Sequence, residues 1–139
     1  MTTAPFVSAY QGMSNAQYVD VLNANTFDPR APGLGGALTQ AERDQLVADL
    51  NQSKKTRAEV LRAVAENAEF SRRQSNKAFV LMQYFGYLRR NPNAQPDGDF
   101  SGYNFWLGKL DEFNGNFVAA EMVKAFVTSI EYKQRFGQP

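Results

Sequence analysis

The stretch that most constrains the fold runs from Lys77 to Arg90. Between Ala78 and Leu88 only Gln83 interrupts a series of hydrophobic side chains. A helix lying on a protein surface shows a polar stripe at its 3.6-residue period. This run shows none, which predicts a helix enclosed by its own protein. It is also about half the roughly 20 apolar residues that a bilayer span requires, so a core helix is expected and a membrane span is not. A chain of 139 residues is the size of one domain and buries roughly two-thirds of its unfolded surface. Its 43% hydrophobic content, with 11 Phe, 6 Tyr and 1 Trp, excludes a disordered chain.

Charge and composition remove several functional classes. The formal net charge is +1, too little for a dedicated nucleic-acid binder that relies on phosphate neutralisation. The absence of Cys and His removes thiol nucleophiles, Cys/His zinc sites, Ser-His and Cys-His catalytic arrangements and the commonest general base. The segment Met1 to Val7 has no basic stretch leading into a long apolar run, so no signal peptide is expected in it. The chain therefore reads either as cytoplasmic or as one piece of a longer exported chain.

Helix signals follow in order along the chain. Ser14 with Gln17, Thr39 with Glu42 and Thr56 with Glu59 each have the capping-box form. Between the first two, Pro29, Pro32, Gly33, Gly35 and Gly36 predict a long loop. Asn67 is placed to cap a helix that runs into the apolar stretch, and Asn91-Pro92 is placed to stop it. Asp99 or Ser101 opens the next helix, Asn114-Gly115 marks a turn, and Asn116 is expected to cap a helix with Val118, Met122, Val123, Phe126, Val127 and Ile130 inward. Ser129 recaps a last short helix ended by Gly137 and Pro139. No period-2 segment appears. The prediction is an all-α single domain over 1–139, a bundle of about six or seven helices around the apolar helix. The expected core is Phe79, Val80, Tyr84, Phe85, Leu88, Trp106, Leu110, Phe126 and Tyr132.

Sliding the chain along itself until Glu59 falls on Glu121 also lays Ala63 on Ala125, Glu69 on Glu131 and Arg73 on Arg135. Apolar positions follow: Val60 meets Met122, Val64 meets Phe126 and Phe70 meets Tyr132. This reads as a degenerate internal repeat, 14–73 and 76–136. The succession Phe79-Val80, Tyr84, Leu88-Arg89-Arg90-Asn-Pro, then Gly102 to Leu110 with Trp106-Leu107, then Val123 to Phe136 with Ser129-Ile-Glu-Tyr132, resembles a bacterial domain of unknown function. That family consists of small all-helical modules, often in tandem, in secreted, S-layer-like and calcium-repeat-type surface proteins, and it is distantly similar to the phycobilisome linker domain. The loop Asn93 to Phe100 is longer here than in the family pattern. The resemblance implies a surface or secreted interaction module without a catalytic centre.

Three groups of residues are candidates for binding. Side-chain oxygens recur at Asn91, Asn93, Gln95, Asp97 and Asp99, an alternation found in calcium loops. Pro96 and Gly102 stand where an EF-hand needs Gly and Glu, and a solvated connector with an aspartate cap is the simpler reading. Asn91, Asn93, Asp97 and Asp99 are thus the candidate metal ligands, and calcium the sole candidate cofactor. Phe105 and Tyr103, with Arg89 and Arg90, are the candidate contacts for a protein partner, a second copy of the chain or a glycan. Arg72, Arg73, Lys77, Arg89 and Arg90 form either a basic face or an ordinary solvated helix surface. Neither Asp97 with Asp99 nor Asp111 with Glu112 shows the apolar surroundings that a general acid of a carboxylate pair needs. The expectation is a non-catalytic interaction or scaffolding module, with a calcium- or glycan-binding surface module as the alternative.

Overall fold

Side chains that close the first turn of each helix account for most helix starts. Ser14, Thr39 and Thr56 each accept a hydrogen bond from the backbone N–H three residues on, and Gln17, Glu42 and Glu59 each reach back to the capping residue's N–H. Two orphan donors are satisfied reciprocally at every one of these ends. The computed structural model describes residues 9–29 and 36–137. Met1 to Val7, the part of the expected loop containing Pro32, Gly33 and Gly35, and Pro139 lie outside the described residues.

Among the described residues the fold is all-α, with seven α-helices: α1 (Asn15–Ala24), α2 (Gln40–Asn51), α3 (Arg57–Ala65), α4 (Ala68–Gln83), α5 (Ser101–Glu112), α6 (Met122–Thr128) and α7 (Ile130–Phe136). Asn67 starts α4, its Oδ1 accepting from the N–H groups of Glu69 and Phe70 at 3.0 and 3.1 Å. The α4 helix passes directly into a π-helical segment, Tyr84–Leu88, and ends where Arg89 turns left-handed at φ 49°. Ser129 separates α6 from α7 and caps the latter through the Tyr132 N–H. One boundary differs from the sequence expectation: α6 starts at Met122 and not near Asn116. The Asn116 side chain caps only a turn, accepting from the Ala119 N–H at 3.0 Å, and Glu121 then adopts φ 50° before the helix begins. Val118 and Ile130, expected inward, are consequently exposed.

The chain divides into two units between Ser71 and Arg72, inside α4. The first closes on Tyr18, Val19, Leu22, Leu38, Leu46, Leu50, Val60 and Val64. A paired Arg43–Asp20 contact at 2.8 Å links α2 to α1, and the Tyr18 hydroxyl donates to the Arg57 carbonyl at 2.9 Å. The second closes on Val80, Tyr84, Leu88, Leu107, Leu110, Ala120, Met122 and Phe126, with Phe79, Trp106 and Tyr132 partly buried against it.

The apolar stretch is therefore not enclosed. Val80, Tyr84 and Leu88 take the inner face at successive i,i+4 positions, whereas Met82 is 64% and Phe85 51% exposed. Phe85, expected in the core, is a surface residue because it stands three residues after the exposed Met82, on the side of the helix opposite Val80, Tyr84 and Leu88. This separates two truncations. Leu107→Ala, at a 1% exposed position, is expected to cost about 2 to 5 kcal/mol in urea unfolding. Phe85→Ala is expected to stay within about 1 kcal/mol of the parent.

Candidate functional site

Arg90 leaves the helix end immediately after the left-handed Arg89, and its side chain is only 7% exposed. Its Nε and Nη2 donate to the two Glu131 oxygens at 2.7 and 3.1 Å, and Nη2 also donates to Asp97 Oδ2 at 2.8 Å. Nη1 donates to the carbonyls of Asn91 and Pro92, both at 3.2 Å, and of Ala94 at 3.0 Å. The guanidinium also lies over the Tyr84 ring, 5.1 Å from its centroid. A loop lined with oxygens does wrap a cation, but that cation is Arg90. Gly102 makes room for the arrangement, since a Cβ there would stand 2.7 Å from the Tyr84 hydroxyl and 3.1 Å from Asp97 Oδ2.

The candidate metal ligands are distributed accordingly. Asp97 and the Asn91 carbonyl face Arg90, Asn93 is exposed, and Asp99 accepts from the Ser101 N–H at 2.8 Å. The Ser101 hydroxyl and N–H together hold the Asp99 carboxyl below the usual carboxylate range. Among the described residues no cluster of three or more acidic side chains converges as a cation site. Arg90 is likewise removed from the partner-contact candidates, because its donors are spent internally. Of the two readings of Arg72, Arg73, Lys77, Arg89 and Arg90, the basic face is not supported: Arg73 is 4% exposed, Arg72 meets Asp111 at 3.4 Å, and Arg89 covers the Phe136 ring at 5.0 Å.

Tyr103 packs partly buried on the second core, its hydroxyl donating to the Lys77 carbonyl at 3.4 Å. Phe105 points away from that core, 63% exposed, with its ring edge-on to Trp106 at 5.2 Å. Sequence reasoning identified Phe105 and missed Met82 and Phe85, whose exposure follows from the inner face being claimed by Val80, Tyr84 and Leu88. Phe79 lies beside them on the helix and stacks on Phe117 with centroids 4.8 Å apart, which carries the apolar surface on to Phe117 and Val118. A shallow hollow of about 290 Å³ lined by Phe117, Val118, Glu121, Val123 and Lys124 lies in the same part of the surface.

The model of a family described as a domain of unknown function, DUF4214, matches residues 66–136, just over half of the chain. The chain belongs to the DUF4214 family. The DUF4214 segment takes in α4 to α7, the Arg90 cluster and the exposed residues Met82, Phe85, Phe105 and Phe117. No curated protein and no solved structure matches the chain. Among the described residues no helix is long and apolar enough to cross a membrane.

Two predictions come from the Arg90 cluster of the DUF4214 segment. Arg90→Ala strands the Glu131 carboxylate and three carbonyls, and is expected to lower unfolding free energy by about 3 to 5 kcal/mol. Arg90→Lys recovers only part of that loss, because one ammonium cannot serve both carboxylates and the loop carbonyls. Tyr84 is pushed up to about 12 by burial first and by the Asp97 carboxylate second, with Arg90 opposing both. Unfolded tyrosine ionises near about 10. Between those values the native state holds a proton that the unfolded state has lost, so stability falls as pH rises, by at most about 1.4 kcal/mol per pH unit. Denaturant midpoints measured across that window should fall less steeply in Tyr84→Phe than in the parent.

Proposed function

We propose that this protein is a non-catalytic interaction or scaffolding module of a bacterial secreted or cell-surface protein, acting through apolar surface on its DUF4214 segment. One observation carries the reading. Of the ten large apolar side chains exposed among the described residues, only Phe27 lies in the first unit; the other nine, from Met82 to Phe136, lie in the second. Isolated exposed apolar residues are ordinary, whereas a concentration of them on one unit marks a surface meant to be covered. The location at a bacterial surface rests on the family resemblance of the Trp106-Leu107 and Ser129 to Tyr132 elements. The commitment of Asp97 and of the Asn91, Pro92 and Ala94 carbonyls to Arg90 favours a protein partner over calcium for this region.

We also read the two units as diverged copies of one helical element. The shift that lays Glu59 on Glu121 places the α4 cap Asn67 on the α7 cap Ser129. It also matches the buried pairs, Val60 with Met122 at 0% exposure each and Val64 with Phe126 at 3% each. Such agreement in capping and burial is what a duplication predicts.

Sedimentation velocity over a wide concentration range, in calcium and in EDTA, tests the functional reading. Association that grows with concentration and is the same in both buffers is the expected result. Association seen only with calcium would favour a cation-binding module, and a single monomeric species throughout would remove self-assembly.

A further inference from the structure

A cavity of about 410 Å³ opens in the first unit between α2, the turn that follows it and α3. Ligand pockets run from about 300 to about 1,000 Å³, so this one has the volume for a small organic molecule. Its floor is Leu38, Ala41, Leu46 and Ala63, which can take an apolar body. The five polar side chains that complete the lining decide which head group fits. Two are already spent. Glu42 Oε2 accepts from the Thr39 N–H and hydroxyl, both at 2.8 Å, and its Oε1 accepts from Asn67 Nδ2 at 3.2 Å. Asn67 Oδ1 is in turn held by the N–H groups of Glu69 and Phe70. A third, Lys55, places its charge near Glu59, whose carboxyl is held below the usual carboxylate range by the Thr56 N–H first, then the Thr56 hydroxyl, and also by Lys55. The last two leave acceptors free. Asp49, one turn on from Gln45 along α2, is only 9% exposed, and its Oδ1 accepts from Gln45 Nε2 at 2.8 Å. Among the described residues no donor and no cation reaches its second oxygen. The same bond commits the nitrogen of the Gln45 amide and leaves Gln45 Oε1 as another acceptor. A carboxylate this deep is costly to hold on one neutral donor.

We propose that this cavity binds a small primary amine, its ammonium on Asp49 with Gln45 Oε1 as second acceptor, and its alkyl or aryl stem over Leu38, Ala41, Leu46 and Ala63. An ammonium offers donors only, which is what two free acceptors require. Glu42 and Asp49 set against Lys55 leave the lining with one net negative charge, which selects a cation again. A charged donor on a carboxylate bonds about twice as strongly as a neutral one. An alcohol of the same stem brings one donor and no charge, and an acid brings a like charge to Asp49. The site lies in the first unit and stands or falls independently of the apolar surface proposed for the DUF4214 segment.

Titration of hexylamine, hexan-1-ol and hexanoate into the full chain, followed by NMR of labelled alanine methyls, separates the head group from the stem. Hexylamine is expected to shift the Ala41 and Ala63 methyls in a saturable way. Hexan-1-ol is expected to bind at least about 10-fold more weakly, and hexanoate to leave both methyls unmoved. Asp49→Asn keeps an acceptor for Gln45 Nε2 and is expected to lower hexylamine to the affinity of the alcohol. Ala41→Leu, at an exposed position, fills the floor and is expected to weaken amine and alcohol alike. Lys55→Met removes a like charge from the rim and is expected to bind hexylamine at least as tightly as the parent. Equal affinity of the parent for amine and alcohol would overturn the ammonium site, as would an Asp49→Asn variant that binds hexylamine as the parent does. Loss of binding in Lys55→Met would show that an anionic group is recognised and would overturn it too. Tighter binding of Nα-acetyl-lysine methylamide than of hexylamine would overturn the free amine in favour of a lysine side chain presented by a partner.

Discussion

The second unit depends on one buried cation. Arg90 joins three pieces of chain that share no backbone hydrogen bonding: the end of the π-helical segment, the loop from Asn91 to Asp97, and α7 through Glu131. Burying a guanidinium is costly unless every donor finds an acceptor. Here two carboxylates and three carbonyls provide them. The loop carbonyls gain as much as the arginine, since a loop turned inward would otherwise hold unsatisfied acceptors. Removing Arg90 therefore undoes the loop, and with it the seat of Gly102 and the start of α5.

The same constraint explains the shape of the helix that leads into it. Val80, Tyr84 and Leu88 face the core at four-residue steps, a spacing that drifts around a regular α-helix. The π-helical segment at Tyr84–Leu88 and the left-handed Arg89 let Leu88 stay inward while Arg90 turns into the loop. A helix held on one side by the core and at its end by Arg90 leaves Met82 and Phe85 on the opposite side. Their exposure is thus a product of how the inner face is anchored.

Local signals were legible in the sequence, and partners distant in sequence were not. The three capping boxes, Asn67, Ser129 and the Asn114-Gly115 turn could be read because each is complete within a few residues. The alternation of side-chain oxygens at Asn91 to Asp99 resembled a calcium loop, yet of those side chains only Asp97 meets the Arg90 guanidinium, and the loop's other contacts to it come from backbone carbonyls. The alternation could not reveal that the charge sits at Arg90, whose main partner Glu131 lies 41 residues away. Glu131 also stands four residues before Arg135, a spacing that offers a nearer partner, and that contact is present at 3.4 Å as well. The apolar run misled for a related reason. Hydrophobicity shows that a face can be buried, but only the packing shows which side has something to bury it. Glu121 shortened α6 through a backbone conformation that no side-chain pattern announces.

The contrast between the two units bears on why the apolar surface persists. In the first unit the described surface is dressed with charge, as in the Arg43–Asp20 and Arg43–Asp44 contacts on α1 and α2. The second unit also pairs charge on its surface, as in Lys109–Glu112 and Lys124–Glu121, but its Arg90 and Glu131 are committed to the loop and Phe and Met side chains take surface positions beside them. Neither Met82 nor Phe85 contributes much to the core, so the stability of the fold does not require them. With a net charge of only +1 the chain also has little electrostatic repulsion to keep copies apart. Side chains that do little for folding and work against solubility are explained if the working state covers them. On the proposed reading, Arg90 builds the rigid back of the helix, and Met82 and Phe85 are the face that back supports.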